Sequence, residues 1–190
     1  MKNETKALLL VGTSLMSLTF GLTSPIVEIY FMKLISAKIL AVSNVLGIGL
    51  AAIIQSTVPN ERCKEFYKKN AYRIISIVII LFISVSICSM EYAEVRFLGF
   101  AVLNALTTSL WAVLLMDAVN HKIQGDELTN WNATLASSKL YASLLGCVLA
   151  IFIAEYIPVE PAIGLQCISI TVYGICDMFA LKKMQVDPDN

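Results

Sequence analysis

Glu28, Arg96, Asp117 and Asp177 are among the charged residues that stand inside or at the edges of long apolar runs. A charge is costly in hydrocarbon, so an ionisable group placed there faces a partner, another helix or water, and marks a candidate path for an ion or a solute. Small and polar residues accompany these charges at helical spacing. Ser14, Ser17, Gly21, Ser24 and Glu28 recur at steps of three and four, which lays hydroxyls, a bare backbone and a carboxylate along one side of a helix. Such a stripe is either a small-residue packing seam or the wall of a pathway with Glu28 at its mouth. Asn104, Thr107, Thr108 and Trp111 cluster over two turns, where an amide and an indole can hold a substrate by hydrogen bonding and stacking or can bind neighbouring helices. The candidate substrate or cavity residues are therefore Ser17, Gly21, Ser24, Glu28, Asn104, Thr108 and Trp111. The candidate coupling or gating charges are Glu28, Arg96, Asp117 and Asp177. Asp177 shares one side of its helix with Gln166, Ser169 and Tyr173. It also lies about one and a half turns from Lys182 and Lys183, so pairing with those lysines or snorkelling to the interface is the competing expectation.

Other chemistries find little to work with. Cys63, Cys88, Cys147, Cys167 and Cys176 are scattered without a C-x-x-C pair, which suggests neither a disulfide framework nor a zinc site. The single His121 has no second imidazole with which to share a metal. A cysteine peptidase needs a thiolate and an imidazole within reach of each other, and Cys63 and His121 fall on different loops. The paired-aspartate motif of membrane alcohol phosphotransferases is missing. The expectation is no enzyme, no cofactor and no metal.

The elements that must position these residues are transmembrane helices. Of the 190 residues, 57% are apolar and only 15% charged, far from the balance of a soluble domain. The 14 basic and 14 acidic side chains cancel, which argues against a nucleic-acid surface. Apolar runs long enough to cross a bilayer as helices occur at 7–31, 38–57, 73–90, 95–118, 134–154 and 162–181, giving a single all-α domain of six spans. The first run is as long as a full span and no small-residue cleavage site ends it, so it is read as a retained helix rather than a signal peptide. Pro25 is expected to kink it. The second span carries Asn44, Gly47, Ala51 and Gln55 on one face, fit for packing or for a partner; the fifth carries Lys139, Ser143, Gly146 and Ala150 in the same manner. The third is almost wholly Ile, Val, Leu, Phe and Ser, and reads as a peripheral helix in lipid. Basic loops are retained in the cytoplasm. Lys2, Lys6, Arg62, Lys64, Lys68, Lys69, Arg73, Lys122, Lys139, Lys182 and Lys183 fall on one side, against Lys33, Lys38 and Arg96 on the other, so a protein of the cell membrane with both termini in the cytoplasm is expected.

Arg96-Phe-Leu-Gly99 opening a small-residue-rich fourth span, followed by Asp117 and a loop before Gly146 in the fifth, resembles one half of a major facilitator superfamily transporter. That resemblance implies a half bundle of two inverted three-helix repeats. It also implies a role for Arg96 in proton coupling or in holding the bundle together, with Asn104, Thr108, Ser17, Gly21 and Ser24 facing a central cavity. The pattern departs between the second and third spans, where the family has Gly-x-x-x-Asp-Arg-x-Gly-Arg-Arg. Here Thr57 stands for the first glycine, Glu61 for the aspartate and Lys64 for the second glycine, and only Arg62 matches. The antiporter motif of the fifth helix is absent too, since 143–150 holds no proline, so proton-driven drug export is not implied. Transporters of this kind pair two six-helix bundles around a substrate near the midplane. A single half can rebuild that arrangement as a parallel homodimer, in which a pseudo-twofold becomes a true one. The expected function is a secondary transporter or facilitator for a small solute, working by alternating access. The alternatives are a substrate-binding membrane subunit of an energy-coupled vitamin importer and a non-transporting accessory membrane protein.

Overall fold

The computed structural model describes residues 1–57 and 61–186, with the side chains of Glu61, Ala112, Gln185 and Val186 outside the description. Among the described residues six helices are long and apolar enough to cross a membrane. They are α1 (Asn3–Met32), α2 (Ala37–Thr57), α3 (Glu61–Cys88), α4 (Ala93–Lys122), α5 (Gly125–Ile153) and α6 (Val159–Val186). In lipid a helix satisfies its own backbone, which is why apolar runs of this length fold this way whatever their detailed sequence. The protein is thus an all-α, multi-pass membrane protein.

Several helices run past their apolar windows. α3 starts at Glu61 rather than near Arg73, and α5 starts at Gly125 rather than Thr134. The extra turns are charged and polar, and nothing in such residues stops a helix that has already nucleated in the bilayer. Local chemistry sets the ends. The Ser36 hydroxyl accepts from the N–H of Ile39 at 3.4 Å and so caps α2. Gly125, with φ of 61°, supplies the left-handed residue that lets α5 start two residues after α4 stops. α1 stays helical through Pro25, although proline has no N–H to offer the carbonyl of Gly21 one turn earlier.

The helices fall into two compact units, one formed by Met1–Tyr30 with the chain from Ala118 onward, the other by Phe31–Asp117. In the first, α1 meets α5 where backbone touches backbone. A Cβ at Gly21 would collide with the carbonyl oxygen of Ser143, and one at Gly146 with the carbonyl oxygen of Leu18. These positions sit in small-x-x-x-small patterns, Ser17 to Gly21 on α1 and Ala142 to Gly146 on α5, the usual device for close approach in lipid. Further along the same seam the Ser14 and Ser138 hydroxyls share a hydrogen bond of 2.6 Å, and Lys6 pairs with Glu127 at 2.7 Å. Contacts that climb both chains together make α1 and α5 parallel.

α6 runs the other way along α1. Glu4 pairs with Lys183, Gly12 lies against Cys176 and Tyr173, and Gln166 donates to the Thr23 hydroxyl at 2.9 Å. Gln166 is fully buried, and its bond replaces the water it left.

In the second unit α4 is the shared helix, packed on α2 and α3. Gly47 of α2 faces Ala101 of α4, where a Cβ would stand 3.4 Å from the alanine methyl. Gly99 of α4 takes the Val85 side chain of α3, Phe82 meets Phe100 edge-on at 5.3 Å, and Lys68 reaches Asp117 at 2.6 Å. α3 therefore runs antiparallel to α4. Contrary to its uniform composition, α3 is not the most lipid-exposed helix. It buries Ala71, Ile75, Val78, Phe82 and Ser86 as one helical stripe, whereas α2 buries least of all. Composition cannot separate the two cases, because the same Ile, Val and Phe serve lipid and helix contacts alike.

The glycine seam yields a direct expectation. Gly21→Val or Gly146→Leu forces α1 and α5 apart and costs about 1–3 kcal/mol or more, read as a lowered melting temperature in mild detergent. Gly164→Ala, at a site where a Cβ meets open space, leaves melting unchanged or raises stability by up to about 1 kcal/mol.

Candidate functional site

The polar stripe on α1 divides into two parts. Ser17 is 5% exposed and Gly21 is pressed onto the α5 backbone, so this stretch is occupied by packing inside the first unit. Ser24 is half-buried and Glu28 is exposed, so the outer part of the stripe remains open. Thr23, next to Ser24, donates to the Thr19 carbonyl at 2.7 Å and accepts from Gln166, which fixes the α1–α6 register at that level.

In the second unit, α4 carries the candidates. Arg96 is 4% exposed, with its guanidinium 3.7 Å from the centroid of the Phe100 ring. Cation–π contact of this kind holds a charge away from water at a gain of about 0.5–2 kcal/mol, and the spacing of four residues makes it local to α4. Two turns on, Asn104 and Thr108 are exposed one above the other. The Thr108 hydroxyl is engaged with the Asn104 carbonyl at 2.8 Å. Among the described residues the Asn104 amide has no hydrogen-bond partner, which leaves it available to a ligand or a second chain.

Beyond Thr108 the helix widens. Trp111–Met116 is π-helical, an arrangement that recurs at functional sites because it leaves backbone groups less well satisfied. The sequence supplies a cause. Thr107, Thr108 and Ser109 are consecutive, and their hydroxyls bond back to the carbonyls of Leu103, Asn104 and Leu106 at 2.7, 2.8 and 2.7 Å. Back-bonding hydroxyls compete for the carbonyls of the ladder and bend helices. Trp111 is half-buried at the start of the widened turn, and its backbone N–H is shared between the carbonyls of Thr107 and Thr108. Asp117 closes the π segment and is held by Lys68, with 21% and 47% of the two side chains exposed; a pair this open to solvent contributes about 0–1 kcal/mol.

Asp177 is 5% exposed on α6. The expected lysine partner is not there: Lys183 is engaged with Glu4 of α1, and the polar neighbour of the Asp177 carboxyl is Tyr173, one turn earlier. A short step of five or six residues along a helix puts the lysines on another side, so sequence distance overstated the pairing. Among the described residues no group of three or more His, Cys, Asp or Glu could hold a metal ion.

Sequence reasoning singled out the four charges and the exposed α4 residues, but missed the Thr23–Gln166 bond, the π segment, and the ion pairs Glu4–Lys183 and Lys6–Glu127. The run Thr107-Thr108-Ser109 was the available signal for the π segment. Comparison with family models, with curated proteins and with solved structures finds no match to this chain.

Exposure separates the candidates by their expected response. Asn104→Leu leaves thermal stability in detergent within about 0.5 kcal/mol, as for a surface change. Ser17→Leu overfills the buried seam and lowers stability by about 1–3 kcal/mol in the same melting assay.

Proposed function

We propose that the chain is one half of a secondary transporter, similar in plan to a half of the major facilitator superfamily, and that two copies standing the same way up move a small polar or amphipathic solute by alternating access. The observation that carries the proposal is the choice of partners inside the two units. Two inverted three-helix repeats, α1–α2–α3 and α4–α5–α6, make α1 equivalent to α4, α2 to α5 and α3 to α6. The first unit joins α1 to α5 and α6, and the second joins α4 to α2 and α3. Exchange of equivalent helices converts one set of partnerships into the other. Where several contacts fix direction it follows the same rule: α1·α6 and α4·α3 are antiparallel. A glycine stands at every one of the four contacts, at Gly21 and Gly146, Gly12, Gly47 and Gly99.

Orientation rests on the basic residues and on where they are used. Lys6 and Lys183 in the first unit and Lys68 in the second each bind a carboxylate on a neighbouring helix, and the side that holds the excess of Lys and Arg along the sequence is taken as cytoplasmic. Within the second unit the solute would meet the exposed polar groups of α4, Asn104, Thr108 and the edge of Trp111; within the first, Ser24 and Glu28 are the open polar groups of α1. Arg96 and Asp117 would act on α4 as gating charges. An interhelical hydrogen bond in a bilayer is worth about 0.6 kcal/mol on average, so Asn104 does not by itself hold two copies together. Its exposure instead fits a wall that water reaches. The vitamin-importer alternative is less favoured, because Gly12 and Gly21, small residues that a docking face on α1 would use, already lie against α6 and α5.

The test is solute flux. Small polar solutes that raise the melting temperature of the purified protein are offered to proteoliposomes, where saturable uptake above protein-free vesicles is expected, with Asn104→Leu reducing it at least about tenfold by removal of a substrate contact. Uptake no faster than in empty vesicles for every stabilising solute contradicts the proposal.

A further inference from the structure

Asp177 sits six residues from Lys183, about 9 Å deeper along α6, and so within the membrane-spanning part of the helix. It is 5% exposed, and one carboxyl oxygen, Oδ1, has no hydrogen-bond partner. The facing surface of α1 is fixed by Gly12, which lies against Cys176 and Tyr173. Next to Gly12 stands Thr13, also 5% exposed, whose hydroxyl has no partner; one turn further the buried Ser17 hydroxyl has none either. Unpartnered polar atoms are costly in a packed interior, and a buried carboxyl oxygen without a partner, on a helix packed against α1, calls for a ligand that satisfies it.

The charge balance says which ligand. From Ala7 to Val27, α1 carries no titratable residue, and on α6 the groups beside the carboxyl are Tyr173 and Cys176. On α5 the nearest titratable residue along the span, Lys139, is exposed, and at the α6 end Lys183 is engaged with Glu4. An ionised carboxylate here would have no counter-charge. A hard metal cation would need about six oxygen ligands; one carboxyl and a few hydroxyls fall short, and among the described residues no group of three or more His, Cys, Asp or Glu could hold a metal ion. A proton needs one oxygen and leaves the pocket neutral.

We propose that Asp177 is a proton-binding site within the bilayer. The carboxyl holds its proton while α1 is packed on α6 and releases it to water when the two helices part at their Glu4–Lys183 end. Its use as the coupling site rests on the transport reading; its existence does not, and it is tested without any solute.

The full chain in lipid nanodiscs is titrated and followed by infrared difference spectroscopy. Near neutral pH the wild type shows the carbonyl stretch of a protonated carboxyl, absent in Asp177→Asn and unchanged when sodium is replaced by choline. Asn has the shape of a protonated Asp, so this variant melts within a degree or two of the wild type, by about the margin of a neutral surface change. An identical band in both proteins overturns the proposal, as does a band that appears only when sodium is withdrawn. The wild type answers independently through dicyclohexylcarbodiimide, which adds to protonated carboxyls. Modification mapped to the peptide holding Asp177, slowing about tenfold per pH unit once the carboxyl ionises, supports the site. Modification confined to other acids at every pH overturns it. A proton band without solute flux would sink the transport reading alone.

Discussion

In a bilayer an apolar side chain gains little by leaving lipid for another apolar side chain, so helices associate where backbones can come close enough for dispersion and Cα–H···O contacts to add up. The meeting of Gly21 with Ser143 and of Gly146 with Leu18 is that kind of contact. It fixes the height of α1 against α5, and with it the level at which Ser14 finds Ser138 and Lys6 finds Glu127. Because α1 is also the partner of α6, the same helix carries Thr23 to Gln166 and Glu4 to Lys183. Any side chain larger than hydrogen at Gly21 would disturb this whole unit.

Two kinds of polar residue emerge from the packing, and they divide the work. Gln166, Thr23, Ser86 and Ser89 are buried and satisfied, by each other or by a carbonyl of the preceding turn, and they are structural. Asn104 at the surface and Asp177 in the interior are not satisfied in this way, and in lipid an unsatisfied polar group persists only where something else is gained. The π-helical turn from Trp111 to Met116 adds a third such feature to the helix that already carries Arg96, Asn104 and Asp117.

The number and place of the membrane helices were legible in the sequence because hydrocarbon thickness dictates the length of an apolar run and little else. Partner choice was not. A stripe such as Ser14, Ser17, Gly21 and Ser24 shows which face of a helix is special, but the face belongs to two neighbours at once, and neither is named by the period. For α3 the uniform Ile, Val and Phe content pointed to lipid, while a stripe from Ala71 to Ser86 is buried. For Asp177, closeness in sequence pointed to Lys182 and Lys183, while Lys183 is engaged with Glu4 at the far end of the chain. Arg96 was recognised as special from its type and place, but its contact with Phe100 depends on a rotamer that only packing selects. Long-range pairing in a membrane helix protein is decided by shape, and shape is the property least visible in composition.

The transport proposal stands on two copies completing what one bundle lacks. The mass of the particle that leaves the membrane therefore bears on it most directly. Native mass spectrometry of the protein ejected from lipid nanodiscs, assembled without forced crowding, is expected to give two chains per particle with bound lipid. A single chain at every protein concentration and in every lipid would contradict it, leaving a six-helix membrane protein with no second wall for a solute path.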